Sequence, residues 1–225
     1  MNKLIPSIKK SLTNDWAALL PQFMVYKPMW LARRIGPLIQ GVCLDRDSSN
    51  SDYLPTLHVH CLCRPFPDVS LSLGQPLLSI RSGAPDRISV SFHESKYKDA
   101  CARLLSSSLL PVQGGWSLVQ LIQAYERYRF LERWDSRYPV KLMEDAVSVC
   151  SWIGDIHQAR ILINNYINEA KAWPESILIR EGGLTNWSDA LNLLAVSGDL
   201  LRKNVNEQID LLKLGKLPES QLLIS

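Results

Sequence analysis

Apolar positions recur every three or four residues near the start of the chain. Leu12, Trp16, Leu19 and Leu20 share this spacing. It predicts a short helix over 12–20, with Thr13 or Asn14 as N-cap and Pro21 helping to end it. From Met24 the signals become those of strands. Met29–Ile35 is a first strand, broken by Gly36-Pro37, and Leu38–Leu44 is a second, with Leu38, Gln40, Val42 and Leu44 on one face. Asp45–Asp52 is a run of eight polar residues with turn chemistry. A third strand runs from Tyr53 or Thr56 to Cys63. A fourth, Val69–Leu73, alternates apolar residues with Ser70 and Ser72, and Arg87–Phe92 adds a short fifth. Short connections between neighbours favour an antiparallel meander.

After Glu94 the period returns to that of helices. Ala100, Cys101, Leu104 and Leu105 mark one helix before Gly114-Gly115. Ser117 with Gln120 has the form of a capping box. Leu142, Met143, Ala146, Val149, Cys150 and Ile153 make an apolar face that Gly154 ends and Asp155 restarts. A fourth helix of this region stops at Gly198, and Asp199 caps a fifth. The step from Gly154-Asp155 to Gly198-Asp199 is 44 residues, within the range of helical repeats. The fold class expected is α+β: an N-terminal helix and an antiparallel four- to five-stranded meander, followed by a helical C-terminal half of about five helices. Residues 1–115 form the α+β sheet domain and 116–225 an all-helical region packed against it.

Composition narrows the function classes. The 225 residues are 46% hydrophobic and 21% charged, with net charge +3. That is ordinary globular usage and excludes a disordered charged tail. The first 115 residues carry 13 basic and 8 acidic side chains and the remainder 12 and 14, a split too mild for a nucleic-acid arm. Five cysteines, an odd number in apolar surroundings, read as free thiols in a reducing cytoplasm. The first ten residues lack the uninterrupted apolar run of a secretory signal. No stretch reaches the length of a membrane span, so a cytoplasmic location without membrane contact is expected.

Four groups of residues bear on chemistry. His58, His60, Cys61 and Cys63 are zinc-ligand types. On a strand, however, the histidines share one face and the cysteines the other, so the thiols belong to a core and no metal site is assigned. His93 beside Glu94 offers a base and a carboxylate without a nucleophile elbow, and no Gly-rich phosphate loop occurs. No catalytic residue and no cofactor is therefore assigned. Residues 125–138 interleave four arginines with five aromatics, a composition shared by protein hot spots and single-strand binders. Asp45, Asp47 and Asp52 lie in an acidic loop suited to a basic partner surface.

The succession Trp30-Leu31-Ala32-Arg33-Arg34-Ile35-Gly36, Ile39-Gln40-Gly41-Val42 and Tyr53-Leu54-Pro55 resembles small uncharacterised bacterial α+β families of the immunity type. The resemblance covers the first 115 residues or so. It implies a protein that binds and sterically blocks a cognate toxin, and it carries no site residues with it. The expected function is thus macromolecular binding, with a protein partner, a toxin in the most concrete case. The interface candidates are Asp45, Asp47, Asp52, Arg127, Arg129, Arg133 and Trp134. The alternatives are a metal-dependent or hydrolytic enzyme using His58, His60 and His93, and a nucleic-acid binder using 125–138.

Overall fold

The computed structural model describes residues 4–131 and 139–224. The chain divides into two compact units. One holds residues up to His60, Val69–Trp116 and Lys213–Gln221; the other holds Cys61–Asp68, Ser117–Leu212 and the residues from Leu222 on.

The first unit opens with helix α1, Pro6–Leu19. It begins six residues before the predicted start, because Pro6 suits a first helical turn. Thr13 is therefore inside the helix and not its N-cap. Its hydroxyl donates to the Lys9 carbonyl at 2.6 Å and accepts the Met29 N–H at 2.8 Å, tying α1 to the sheet. Strands β1 (Met24–Lys27), β2 (Trp30–Ile35), β3 (Leu38–Arg46), β4 (Asp52–Cys61) and β5 (Gln75–Pro76) pair in that order. Registers such as Leu31↔Val42 and Arg33↔Gln40 are antiparallel. A short β6, Ile88–Ser89, pairs with β4. Glu219–Ser220 returns from the far end of the chain to lie parallel against Arg34 and Ile35 of β2.

Two predicted strands take another form. Val69–Leu73 is irregular, and Leu73 has a positive φ of 43°. Its serines turn to side-chain partners, and the Ser72 carbonyl accepts from the Val59 N–H at 2.9 Å. β5 takes the neighbouring place on β4. The predicted strand 87–92 shortens to β6 because a turn of 3-10 helix over Val90–Phe92 leads into helix α2, His93–Ser106. The core of this unit gathers Trp16, Leu31, Val42, Tyr53, Leu57, Ala100 and Leu104. Each large apolar side chain removed from water contributes about 1.5–3 kcal/mol.

Arg33 is 2% exposed yet fully engaged. Nε donates to Gln40 Oε1 at 2.8 Å, and its terminal nitrogens donate to the Gly114 and Pro111 carbonyls at 2.8 and 2.9 Å. Burial lowers its pKa to about 10, which leaves it cationic. The loop ending in the glycine pair is thus clamped to the sheet by one buried charge.

The second unit is helical: α3 (Leu118–Arg129), α4 (Val140–Ile153), α5 (Ile156–Ala170), the short α6 (Glu175–Arg180), α7 (Leu184–Val196) and α8 (Gly198–Leu211). Ser117 and Gln120 form the capping box, Gly154 ends α4 with φ 96°, and Asp155 accepts the Gln158 N–H at 2.9 Å. Gly198 differs from the reading made of it. It starts α8, and a Cβ there would meet the Ser151 carbonyl at 2.8 Å, so close approach and not helix termination selects glycine. Asp199 lies in the first turn and pairs with Arg202 at 2.8 Å; it does not cap. The 44-residue echo therefore joins two unlike corners. Helix α4 lies against α3, α5, α7 and α8. Its run Asp145–Ser151 is buried without interruption, which puts a carboxyl group inside.

Candidate functional site

Within the helical unit, α4, α7, α8 and the segment 61–68 enclose a pocket of about 370 Å³. That is near the lower end of ligand-pocket sizes. Leu193, Leu194, Leu200 and Leu201 supply its apolar wall. Cys63, Arg64, Glu144, Asp145, Ser148 and Asn204 bring the polar groups. The helical period explains the arrangement. Asp145 stands three residues after Leu142 and four before Val149, so it falls on the face that α4 buries.

The Asp145 side chain is only 4% exposed. Its nearest cation, Arg64 Nη2, is 3.6 Å from Oδ1, beyond hydrogen-bond reach. Glu144 takes the closer cations, with Lys141 at 3.0 Å and Arg64 Nη1 at 3.4 Å. Burial pushes the Asp145 pKa up to about 7; Arg64 opposes the shift and Glu144 adds to it. The carboxyl thus sits on the edge of ionisation at neutral pH. Cys61 shares this interior. A hydrogen bond with Cys63 and burial hold its thiol well above the usual range, which makes it a poor nucleophile.

Two of the interface candidates, Asp47 and Arg129, are engaged within the chain. Asp47 accepts from the Ser51 and Asp52 N–H groups at 3.1 and 3.2 Å, closing its own loop, while Asp45 is exposed and Asp52 half-buried in β4. Arg129 points inward, its side chain 4% exposed, with Glu169 at 2.9 Å and Glu126 at 2.6 Å. Arg127 and Phe130 are exposed at the end of α3, and Tyr125 is buried. Arg133 and Trp134 lie outside the described residues.

The three histidines of the alternative reading are buried in the sheet unit. His58 and His60 are 1% and 3% exposed, so neither faces solvent. The Trp30 indole donates to His58 Nε2 at 2.8 Å, and burial lowers the His58 pKa to about 3, with His60 adding to the effect. His60 Nδ1 and the Ser70 hydroxyl are 2.8 Å apart. His93 joins a chain that runs from the Trp16 indole (3.3 Å) to Tyr53 Oη, to His93 Nδ1 (2.7 Å), and from Nε2 to Asp15 (3.1 Å). Read as donors in that order, every proton has an acceptor. Asp15, His93 and Glu94 place ligand atoms within 4.8 Å of one another, the arrangement among the described residues that could hold a metal ion. A cation on Nε2 would move the imidazole proton to Nδ1 and leave the buried Tyr53 hydroxyl proton without an acceptor, a cost of about 1–3 kcal/mol. The geometry favours a structural hydrogen-bond chain.

No helix among the described residues is long and apolar enough to cross a membrane. No protein-family model matches this chain, and neither a curated protein nor a solved structure matches it.

Proposed function

We propose that this protein acts by binding another protein, and that it does so through the corner of α7 and α8. The observation that carries this reading is a patch of exposed aliphatic side chains around that corner. Leu193 is 67%, Val196 59% and Leu200 56% exposed, and Leu193 and Leu200 continue into the pocket wall. A rim of this kind leading into an apolar recess is the surface that a partner covers. The most concrete form of the reading is an immunity-type protein that occludes a cognate toxin in the cytoplasm. The five cysteines, all free and four of them buried, agree with a reducing compartment.

The test is capture of partners from native lysate by wild-type protein and by the double variant L193E/L200E, at low and moderate salt. Both leucines are exposed, so the variant keeps its fold. One dominant protein at near-equal stoichiometry, retained at moderate salt and lost with the double variant, is the expected result. Nucleic acid released by salt, or a partner indifferent to the two leucines, overturns the reading.

A further inference from the structure

The thiols of Cys61 and Cys63 face each other. Strand β4 ends at Cys61, and the chain turns at Leu62 and Cys63. In a continuing strand the two side chains would stand side by side on one face. The turn instead brings Cys63 back against Cys61, whose sulfur has both the Cys63 thiol and the Cys63 N–H as hydrogen-bond partners. Two residues of chain span at most about 7 Å, and a turn shortens that to a separation a disulfide bridges. Cys61 and Cys63 are 4% and 2% exposed, and both are free. They differ in access. Cys63 lines the pocket of about 370 Å³ between α4, α7 and α8, which has room for a molecule as small as hydrogen peroxide, and Cys61 does not line it.

We infer that Cys61 and Cys63 form an oxidation site, at which a hydroperoxide converts the two thiols into an intrachain disulfide. The site goes beyond the docking reading and does not depend on it. Cys63, the thiol with access, reacts first. Its sulfur, as thiolate, attacks one peroxide oxygen and the O–O bond breaks. The hydroxide released takes up the proton that Cys63 gave, so one water leaves and the sulfur becomes a sulfenic acid. The Cys61 sulfur then attacks that sulfur. The S–S bond forms, the S–O bond breaks, and the hydroxyl leaves with the Cys61 proton as a second water. The thiol pair has lost two electrons and the peroxide has gained them. Burial makes Cys61 slow toward a free reagent, tenfold in thiolate for each pH unit by which its pKa climbs. Toward Cys63 it needs no encounter. Groups already in contact react at an effective concentration on the order of 10⁵ M or more, which offsets several such factors of ten. The new bond shortens the sulfur–sulfur contact, and the Cys63 carbonyl, which accepts from the Asn204 amide of α8 at 3.1 Å, moves with it.

The experiment uses the full chain, reduced and then exposed to a small excess of hydrogen peroxide. Remaining thiols are blocked under denaturing conditions and the digest is mapped by mass. The expected result is a peptide in which Cys61 and Cys63 are unblocked and lighter by two hydrogens, and which dithiothreitol restores. The side-chain amide of Asn204 shifts in the NMR spectrum of the oxidised protein. In Cys61→Ser the sulfenic acid on Cys63 persists and is trapped by dimedone, and without dimedone the sulfinic acid at Cys63 rises about tenfold. In Cys63→Ser dimedone leaves residue 61 unlabelled. Oxidation confined to Cys43, Cys101 or Cys150, a disulfide from either thiol to one of these three, or sulfinic acid at Cys63 of the wild-type chain in place of the disulfide overturns the inference. So does dimedone labelling of Cys61 in Cys63→Ser. The mapping of the wild-type chain decides by itself if either serine variant fails to fold. A partner captured through Leu193 and Leu200, with both thiols untouched by peroxide, leaves the docking face standing and removes this site alone. The disulfide without a captured partner supports the site and removes the docking face.

Discussion

Gly41 and His58 share a space that one methyl group would overfill. A Cβ at Gly41 would lie 2.8 Å from His58 Cε1 and 2.9 Å from the Leu31 carbonyl, between two adjacent strands. Gly41→Ala is expected to cost about 1–3 kcal/mol in urea unfolding, since neither backbone nor imidazole has room to move. The same burial makes His58 a source of acid sensitivity. Its folded pKa is about 3 against an ordinary 6.5, so between those values only the unfolded chain takes up the proton. The sheet unit keeps this stability above pH 6.5 and loses up to about 1.4 kcal/mol per pH unit as pH falls toward 3. His58→Gln flattens that slope in urea titrations followed by the sheet's tryptophans. Asp145 works in the opposite direction. Its folded pKa of about 7 exceeds the ordinary 3.8, so its contribution is full below 3.8 and is lost as pH rises through 7. Asp145→Asn is expected to stabilise the helical unit by a few kcal/mol at pH 8 and to change little at pH 4. Circular dichroism at 222 nm across that range is the check.

At the scale of elements, α3 and α5 are joined by Arg129, which donates to both carboxylate oxygens of Glu169 at 3.0 and 2.9 Å and to Glu126 at 2.6 Å. Tyr166 completes the group by donating to Glu126 at 2.9 Å. Arg129→Ala leaves these carboxylates without their cation, and a loss of about 3–5 kcal/mol in thermal or urea unfolding is expected. The sequence presents this arginine as one of four interleaved with aromatics over 125–138 and does not show its burial, because its partners Glu126 and Glu169 are 3 and 40 residues away. What the sequence displays well is local: the Ser117–Gln120 box, the Gly154 stop and the Asp155 cap each depend on residues within one turn. What it displays poorly is set by distant groups. Val69–Leu73 alternates like a strand but gives its serines to His60 and to each other. Gly198 reads as a stop, whereas the Ser151 carbonyl decides it. Asp145 left a trace in its spacing on the apolar face of α4. The pocket around it needed Arg64 and Asn204, 81 and 59 residues away in sequence.

At the scale of the molecule, neither unit is a continuous piece of chain. Segment 61–68 leaves the sheet to join the helices, and 213–221 leaves the helices to join the sheet. The return is held by pairing of Glu219–Ser220 with β2, by an ion pair between Arg34 and Glu219, and by the Arg34 N–H donating to the Pro218 carbonyl at 2.8 Å. A chain ending at Leu212 therefore keeps every helix of the second unit but damages the first. Hydrogen exchange is expected to show lost protection at Arg34 and Gly36, with α4 and α5 amides unchanged.

That return also orders events on the ribosome. The amino acids of β2 are synthesised early, but the segment that covers its Arg34–Ile35 end comes 185 residues later. At roughly 5–20 residues per second, the growing chain carries an open strand end for about 10–40 s. During that interval the unpaired N–H and C=O groups are available to other nascent chains on the same messenger. Crowded polysomes are then a setting in which this edge is exposed to mispairing.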